Sequence, residues 1–244
     1  DLGTLGGAVS YGWAINASGQ VAGEAETTAG AAVPRHAFVT HNGVMTDLGT
    51  LGGTNSWASA INASGQVTGQ AATTGSTMWG AIYHAFVTNN GVMTDLGTLG
   101  GTGSYGGAIN DSGQVTGYAN TSGDAAIHAF VTINGVMRDL GTLGGTHSEG
   151  TAINASGQVT GYANTSGNAA VHAFVMHNSV MIDLGTLGGG TDSLATAIND
   201  SGQVTGYATT SGDAVNHAFV THNGVMTDLG TLGGAVSYGW AINA

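Results

Sequence analysis

The sequence predicts an all-β protein, a five-bladed β-propeller whose blades are four-stranded repeats of about 45 residues. Three observations predict it: a recurring heptapeptide, hairpin turns at fixed places in every unit, and strands that are apolar on both faces. The heptapeptide Asp-Leu-Gly-Thr-Leu-Gly-Gly starts at Asp1, Asp47, Asp95, Asp139, Asp183 and Asp228. Subtracting successive positions gives periods of 46, 48, 44, 44 and 45 residues, the range of propeller blades and solenoid coils. The units therefore start at 1, 47, 95, 139 and 183 within a single repeat domain spanning 1–244, and residues 228–244 are an extra partial repeat.

Each unit reads in the same order. After the heptapeptide comes Ala-Ile-Asn, then a turn such as Ala17-Ser18-Gly19, then Gln-Val-x-Gly, a variable polar stretch, His-Ala-Phe-Val, a second turn, and Val-Met-x-Asp-Leu-Gly. The second turn is Asn42-Gly43, Asn90-Gly91, Asn134-Gly135 and Asn223-Gly224 in four units. Asn-Gly between apolar runs is a strong hairpin signal, because both central residues of a type I′ turn need positive φ. The fourth unit has Asn178-Ser179, and serine in the left-handed region predicts a distorted or looser turn.

Pairing across Asn42-Gly43 puts His36, Phe38 and Thr40 on one face with Met45 and Asp47. Ala37, Val39, Val44 and Leu48 share the other. A sheet apolar on both faces must be covered on both, as a blade wedged between blades is. Phe38, Phe86, Phe130, Phe174 and Phe219 are expected to fill one layer. A β-solenoid is the alternative. No window carries a 3.6-residue apolar period, so almost no helix is expected.

Composition narrows the partners. Charged residues are 7% of the chain, lysine is absent, Arg35 and Arg138 are the only strong cations, and the net charge is -12. Two arginines cannot supply the phosphate contacts of nucleic-acid binding, and an acidic chain is repelled by anionic lipid heads. No apolar run approaches the roughly 20 residues of a membrane helix, so no membrane insertion is expected. There is no cysteine, which leaves the redox compartment open. The first residues already belong to a repeat, so any signal peptide lies outside this sequence.

His-Ala-Phe-Val, Asp-Leu-Gly-Thr-Leu-Gly-Gly and Ala-Ile-Asn-x-Ser-Gly-Gln-Val-x-Gly recur in one order along essentially the whole chain. Together they resemble the bacterial extracellular repeat family called HAF. The resemblance implies export from a bacterium, to the cell surface or beyond, and carries no set of catalytic residues.

Candidate chemistry is mostly repeated, which argues for structure. His36, His84, His128, His172 and His217 each precede Asp47, Asp95, Asp139, Asp183 and Asp228 by 11 residues. The hairpin places each pair diagonally on one face, within reach of a hydrogen bond. A Ser-His-Asp site would occur once rather than in every unit, so no catalytic residue and no enzyme activity is expected. Zinc would need several of these histidines to converge, so no metal and no cofactor is expected. Asn110-Asp111-Ser112-Gly113 and Asn199-Asp200-Ser201-Gly202 look like calcium loops but read better as Asx turns. The Asn-x-Ser/Thr strings at Asn16, Asn62, Asn110, Asn120, Asn154, Asn164 and Asn199 read as turn chemistry rather than glycosylation acceptors. Gly-Thr-Leu-Gly-Gly lacks the lysine of a phosphate loop.

Variation is more informative. After the serine of each first strand stand Tyr11, Trp57, Tyr105, Glu149, Leu194 and Tyr238. Exposed aromatics beside Asn and Thr suit a sugar-binding face, to which Trp13, Trp57, Trp79 and Tyr105 would contribute. They also suit a subunit contact, which is the favoured reading. Residues 1–17 and 228–244 are identical, so the chain carries one first strand too many. In a closed ring the two copies would compete for one slot. The displaced one would join identical molecules head to tail, with Tyr11, Trp13, Tyr238 and Trp240 at the contact. The expected function is a non-enzymatic extracellular protein assembling with itself into a filament or array, the alternative a secreted lectin-like propeller binding glycans.

Overall fold

The computed structural model describes every residue except 29–32, 75–79, 213–214 and 244. It is all-β, and its four-stranded antiparallel sheets repeat along the chain. The first repeat holds β1 (Ser10–Ile15), β2 (Val21–Glu26), β3 (Arg35–His41) and β4 (Val44–Asp47). The second holds β5 (Gly52–Ile61), β6 (Val67–Thr73), β7 (Tyr83–Asn89) and β8 (Val92–Asp95). The third holds β9 (Gly100–Ile109), β10 (Val115–Thr121), β11 (Ile127–Ile133) and β12 (Val136–Asp139). The fourth holds β13 (Gly144–Ile153), β14 (Val159–Thr165), β15 (Val171–His177) and β16 (Val180–Asp183). The fifth holds β17 (Ser193–Ile198), β18 (Val204–Thr209), β19 (Asn216–His222) and β20 (Val225–Asp228). The only helical turns among the described residues are Ser122–Asp124 and Ser166–Asn168.

By contacts the chain divides into two compact units, whose boundary runs through the third repeat. The first comprises 1–115, 119–124 and 132–137, and the second 116–118, 125–131 and 138–244. In each unit the strands of a repeat pair in sequence order, first to fourth.

Local chemistry sets this order. The hairpin Asn-Gly takes the expected left-handed pair, Asn42 at φ 51° and Gly43 at φ 77°. The register follows, with Phe38 opposite Asp47, Thr40 opposite Met45 and His41 opposite Val44. The fourth repeat does not bear out the expectation of a looser turn. Asn178 (φ 49°) and Ser179 (φ 63°) hold the same conformation, and β15 and β16 keep the same register. Four ladder pairs and the packing beneath them outweigh the backbone cost at one serine.

The first and second strands approach unusually closely. A register shift at Ala58/Ala60, a β-bulge, brings the Trp57 carbonyl over Gly69, where a Cβ would overlap it. Gly23, Gly161 and Gly206 face Tyr11, Glu149 and Leu194 in the same way, which explains the glycine of Gln-Val-x-Gly. The core consists of small residues around one large one: all five motif phenylalanines are fully buried, among alanines and valines. Coverage of both faces holds for the second and third strands but not for the fourth. There Val44, Val92, Val136 and Val225 are about two-thirds exposed, because the strand is an edge with one neighbour.

A serine joins one repeat to the next. The Ala37 amide donates to Ser56 Oγ at 2.8 Å, and Ser56 Oγ donates to the Gly49 carbonyl at 2.5 Å. Thus one buried hydroxyl of the following repeat ties the His-Ala-Phe strand to the heptapeptide linker. Ser104, Ser148 and Ser193 do the same for Ala85 and Gly97, Ala129 and Gly141, and Ala173 and Gly185. A second tie runs along the turns: Asn16 Nδ2 donates to the Asn62 carbonyl, Asn62 to Asn110, and Asn154 to Asn199.

Two substitutions test this account. Ser148→Ala strands a buried amide and a carbonyl and should lower stability by about 1–3 kcal/mol, read as a shifted urea midpoint. Ser179→Gly should raise stability by about 1 kcal/mol, read as a higher Tm, because glycine reaches positive φ without the Cβ penalty.

Candidate functional site

The two identical 17-residue segments are held differently. The N-terminal copy supplies β1, paired antiparallel to β2. The C-terminal copy forms no strand and lies along the fifth repeat. There Ser237 Oγ accepts from the Ala218 amide at 2.9 Å and donates to the Gly230 carbonyl at 2.6 Å. The Ser237 amide donates to the Asn216 carbonyl, Gly239 to Gly206, and Asn199 Nδ2 to the Asn243 carbonyl. This is the junction seen between internal repeats, made by an extended segment that belongs to no sheet. The N-terminal copy thus sits in a sheet, whereas the C-terminal copy occupies the junction slot of the fifth repeat.

Tyr238 packs edge-on against Tyr207 at 5.0 Å and stacks on Trp240 at 6.0 Å. Docking leaves Trp240 68% exposed, close to the 61% of Trp13 in β1. The serine and the backbone make the hydrogen bonds, Tyr238 and Trp240 add ring contacts to Tyr207, and most of the Trp240 surface stays open. At the first repeat, Ser10 Oγ donates to the Gly3 carbonyl as every junction serine does.

The repeated His-Asp pairs are alike. His36 Nδ1 lies 2.9 Å from Asp47 Oδ2, and His84, His128, His172 and His217 sit equally close to Asp95, Asp139, Asp183 and Asp228. Each aspartate also accepts from the glycine amide two residues on, as Asp47 does from Gly49 at 2.7 Å. The pair braces the hairpin against the linker. At Asp228 the His217 bond, aided by Gly230, holds the carboxyl below its ordinary range. The junction serines have both hydroxyl roles committed to backbone, away from these histidines. Among the described residues no three His, Asp or Glu converge as metal ligands.

The Asn-x-Ser turns are internal fittings. Asn62 is 4% exposed, its Oδ1 accepts from the Gln66 amide, and its Nδ2 donates to Gln66 Oε1 at 2.9 Å. Such an amide offers nothing to a glycosyl donor. Asp111 and Asp200 accept from the Ala63 and Ala155 amides of the preceding repeats, which accounts for the two calcium-like strings.

Of the variable aromatics, Trp57 and Tyr105 come together with Trp13. They line a cavity of about 410 Å³ with Glu24, Ala58, Ser59 and Gly107. Trp57 is tilted against Tyr83 at 4.9 Å, and Tyr11 stacks on Trp13 at 5.8 Å. Trp79 lies outside the described residues. At the corresponding place in the fourth repeat, Glu149 Oε2 accepts from Tyr162 Oη at 2.5 Å, and His147 stacks on that tyrosine. Burial, then the Glu149 bond, drives the Tyr162 hydroxyl well above its usual range.

Sequence reasoning missed Glu24, Glu26 and Arg35 as a group. Arg35 Nη1 meets Glu24 Oε1 at 3.2 Å, its Nη2 meets Glu26 at 3.6 Å, and its guanidinium lies 5.4 Å from the Tyr11 ring centre. Glu24 is 5% exposed. Burial raises its carboxyl above the ordinary 4.5, with Arg35 opposing. The signal was present, since the equivalent positions elsewhere hold Gln70, Tyr118, Tyr162 and Tyr207 opposite the variable residue, and Tyr83, Ile127, Val171 and Asn216 in place of Arg35.

No protein-family model matches the chain, and no curated protein matches it. Among solved structures it is similar to TolB from Acinetobacter baumannii, at TM-score 0.55 and 12% identity. The likeness covers 88% of this chain and 52% of TolB, so the chain spans about half of that protein. It shows a fold likeness to a β-propeller protein and nothing of activity.

The raised Glu24 carboxyl gives a signed prediction. A carboxyl raised in the folded state takes up a proton before the unfolded one does, so its contribution to stability improves as pH falls through the folded pKa towards 4.5. Thermal melts of Glu24→Gln and the parent should therefore converge, or shift in the parent's favour, on acidification from neutral pH into that window.

Proposed function

We propose that the chain is a non-enzymatic structural repeat protein, exported by a bacterium, that extends into a filament or array of five-bladed propeller-like units. One observation carries this reading: the segment 231–243 docks on the fifth repeat through the junction that binds each internal repeat to the next. The slot recognises a serine, a length of backbone and the rings that meet Tyr207, not a complete sheet. Residues 1–17 are identical to that segment, so the first repeat of another copy fits the same slot. The array grows by repeats added along one polypeptide or by separate chains meeting head to tail, a heterologous contact that need not close. Five four-stranded repeats support the blade count, and the likeness to TolB supports the propeller-like fold. The likeness of the His-Ala-Phe strings to the HAF family supports export.

On this reading the C-terminal copy fills in cis the slot that a second chain would take. Deleting 231–244 should therefore promote association, seen as head-to-tail chains in negative-stain microscopy and a rising mass in light scattering. Added peptide of sequence 231–244 should reverse it. Discrete particles of one mass in both preparations, at every concentration, would overturn assembly through this slot.

A further inference from the structure

Outside the junctions, the feature that departs most from the repeat is the cavity lined by Trp13, Trp57, Tyr105 and Glu24. We propose that it binds an organic ammonium group, methylated or quaternary, of a small molecule. Three consecutive first strands each contribute one ring. A cation held near the faces of such rings is attracted by their quadrupoles, most strongly by tryptophan.

The charge around the cavity favours a cation. Arg35 is shared by Glu24 and Glu26, so three groups carry two negative charges and one positive. Glu24 uses Oε1 for Arg35, and no hydrogen bond to Oε2 occurs among the described residues. Lysine is absent from the chain, whose net charge of -12 concentrates cations near its surface. The guanidinium of Arg35 over Tyr11 already shows the pairing of a cation with a ring at the edge of this group.

A neutral sugar fits less well. Each hydroxyl brought out of water needs a partner, and beside backbone the lining offers one carboxylate, Glu24, two hydroxyls, Ser59 and Tyr105, and the two indole N–H groups of Trp13 and Trp57, fewer groups than a sugar ring has hydroxyl donors and acceptors to satisfy. An ammonium bearing methyl groups needs no such set, since its charge is spread over C-H surfaces that rings and alanine can cover. At about 410 Å³ the cavity accepts a group of this size with the remainder of its molecule.

The test is titration of the whole chain at pH 8, followed by tryptophan fluorescence and calorimetry at fixed ionic strength. The probes are choline, its uncharged isostere 3,3-dimethylbutanol, glucose and phosphatidylcholine vesicles. Choline should bind saturably and about tenfold tighter than the isostere, a difference within the range of ring-cation attraction. Glu24→Gln should weaken choline about tenfold and leave the isostere unchanged. Trp13→Ala, at an exposed position that threatens folding least, should weaken choline as well. Equal binding of isostere and choline, saturation by glucose alone, or no saturation by choline would overturn the proposal. Binding to vesicles without binding to free choline would also overturn it, by assigning the surface to lipid. None of these outcomes depends on whether the chain assembles.

Discussion

The joints between repeats depend on one buried hydroxyl. A serine in the first strand of the following repeat accepts the amide of the preceding His-Ala-Phe strand and donates to the carbonyl of the linker, at Ser56, Ser104, Ser148 and Ser193, and the half-buried Ser237 makes the same two bonds from outside any strand. A glycine-rich linker of this length has considerable freedom to lose on folding. Fixing it at one carbonyl, while the His-Asp pair holds its beginning, turns it into a defined joint. The sheets then place their alanines and phenylalanines against the next repeat at a spacing that small side chains can fill.

Much of this was legible from the sequence, for physical reasons that differ by element. The hairpins could be read because Asn-Gly answers a local demand for positive φ, and the His-Asp pairs because pairing across that turn fixes which side chains share a face. The Ser179 turn could not, since local cost alone predicts distortion, whereas ladder and packing decide the outcome. The exposed fourth strand was missed because alternation of side chains does not reveal which strand becomes an edge.

The site was legible only in outline. Divergence at Tyr11, Trp57 and Tyr105 marks positions freed from neighbour packing, and it pointed at two of the rings that line the cavity, Trp57 and Tyr105, and at Tyr11, which stacks on the third, Trp13. It did not point at Glu24 or Arg35, which lie on other strands and meet these rings only once β1 and β2 have paired. The fate of the C-terminal copy was also out of reach. Identity of two segments states that they can occupy equivalent places, and only the packed chain shows that one pairs within a sheet while the other docks without one.

The extra glycine of the fourth linker, Gly188-Gly189-Gly190, has a consequence of another kind. It separates Gly185 from Ser193 by one residue more than the other linkers allow, yet the same two bonds form. The joint therefore tolerates an insertion and carries no mark of which repeat it joins. A protein jointed in this way is degenerate with respect to copy number: recombination between its near-identical units can delete or duplicate a whole one and leave every remaining joint chemically unchanged. Its length is then open to drift and selection, while its fold is not.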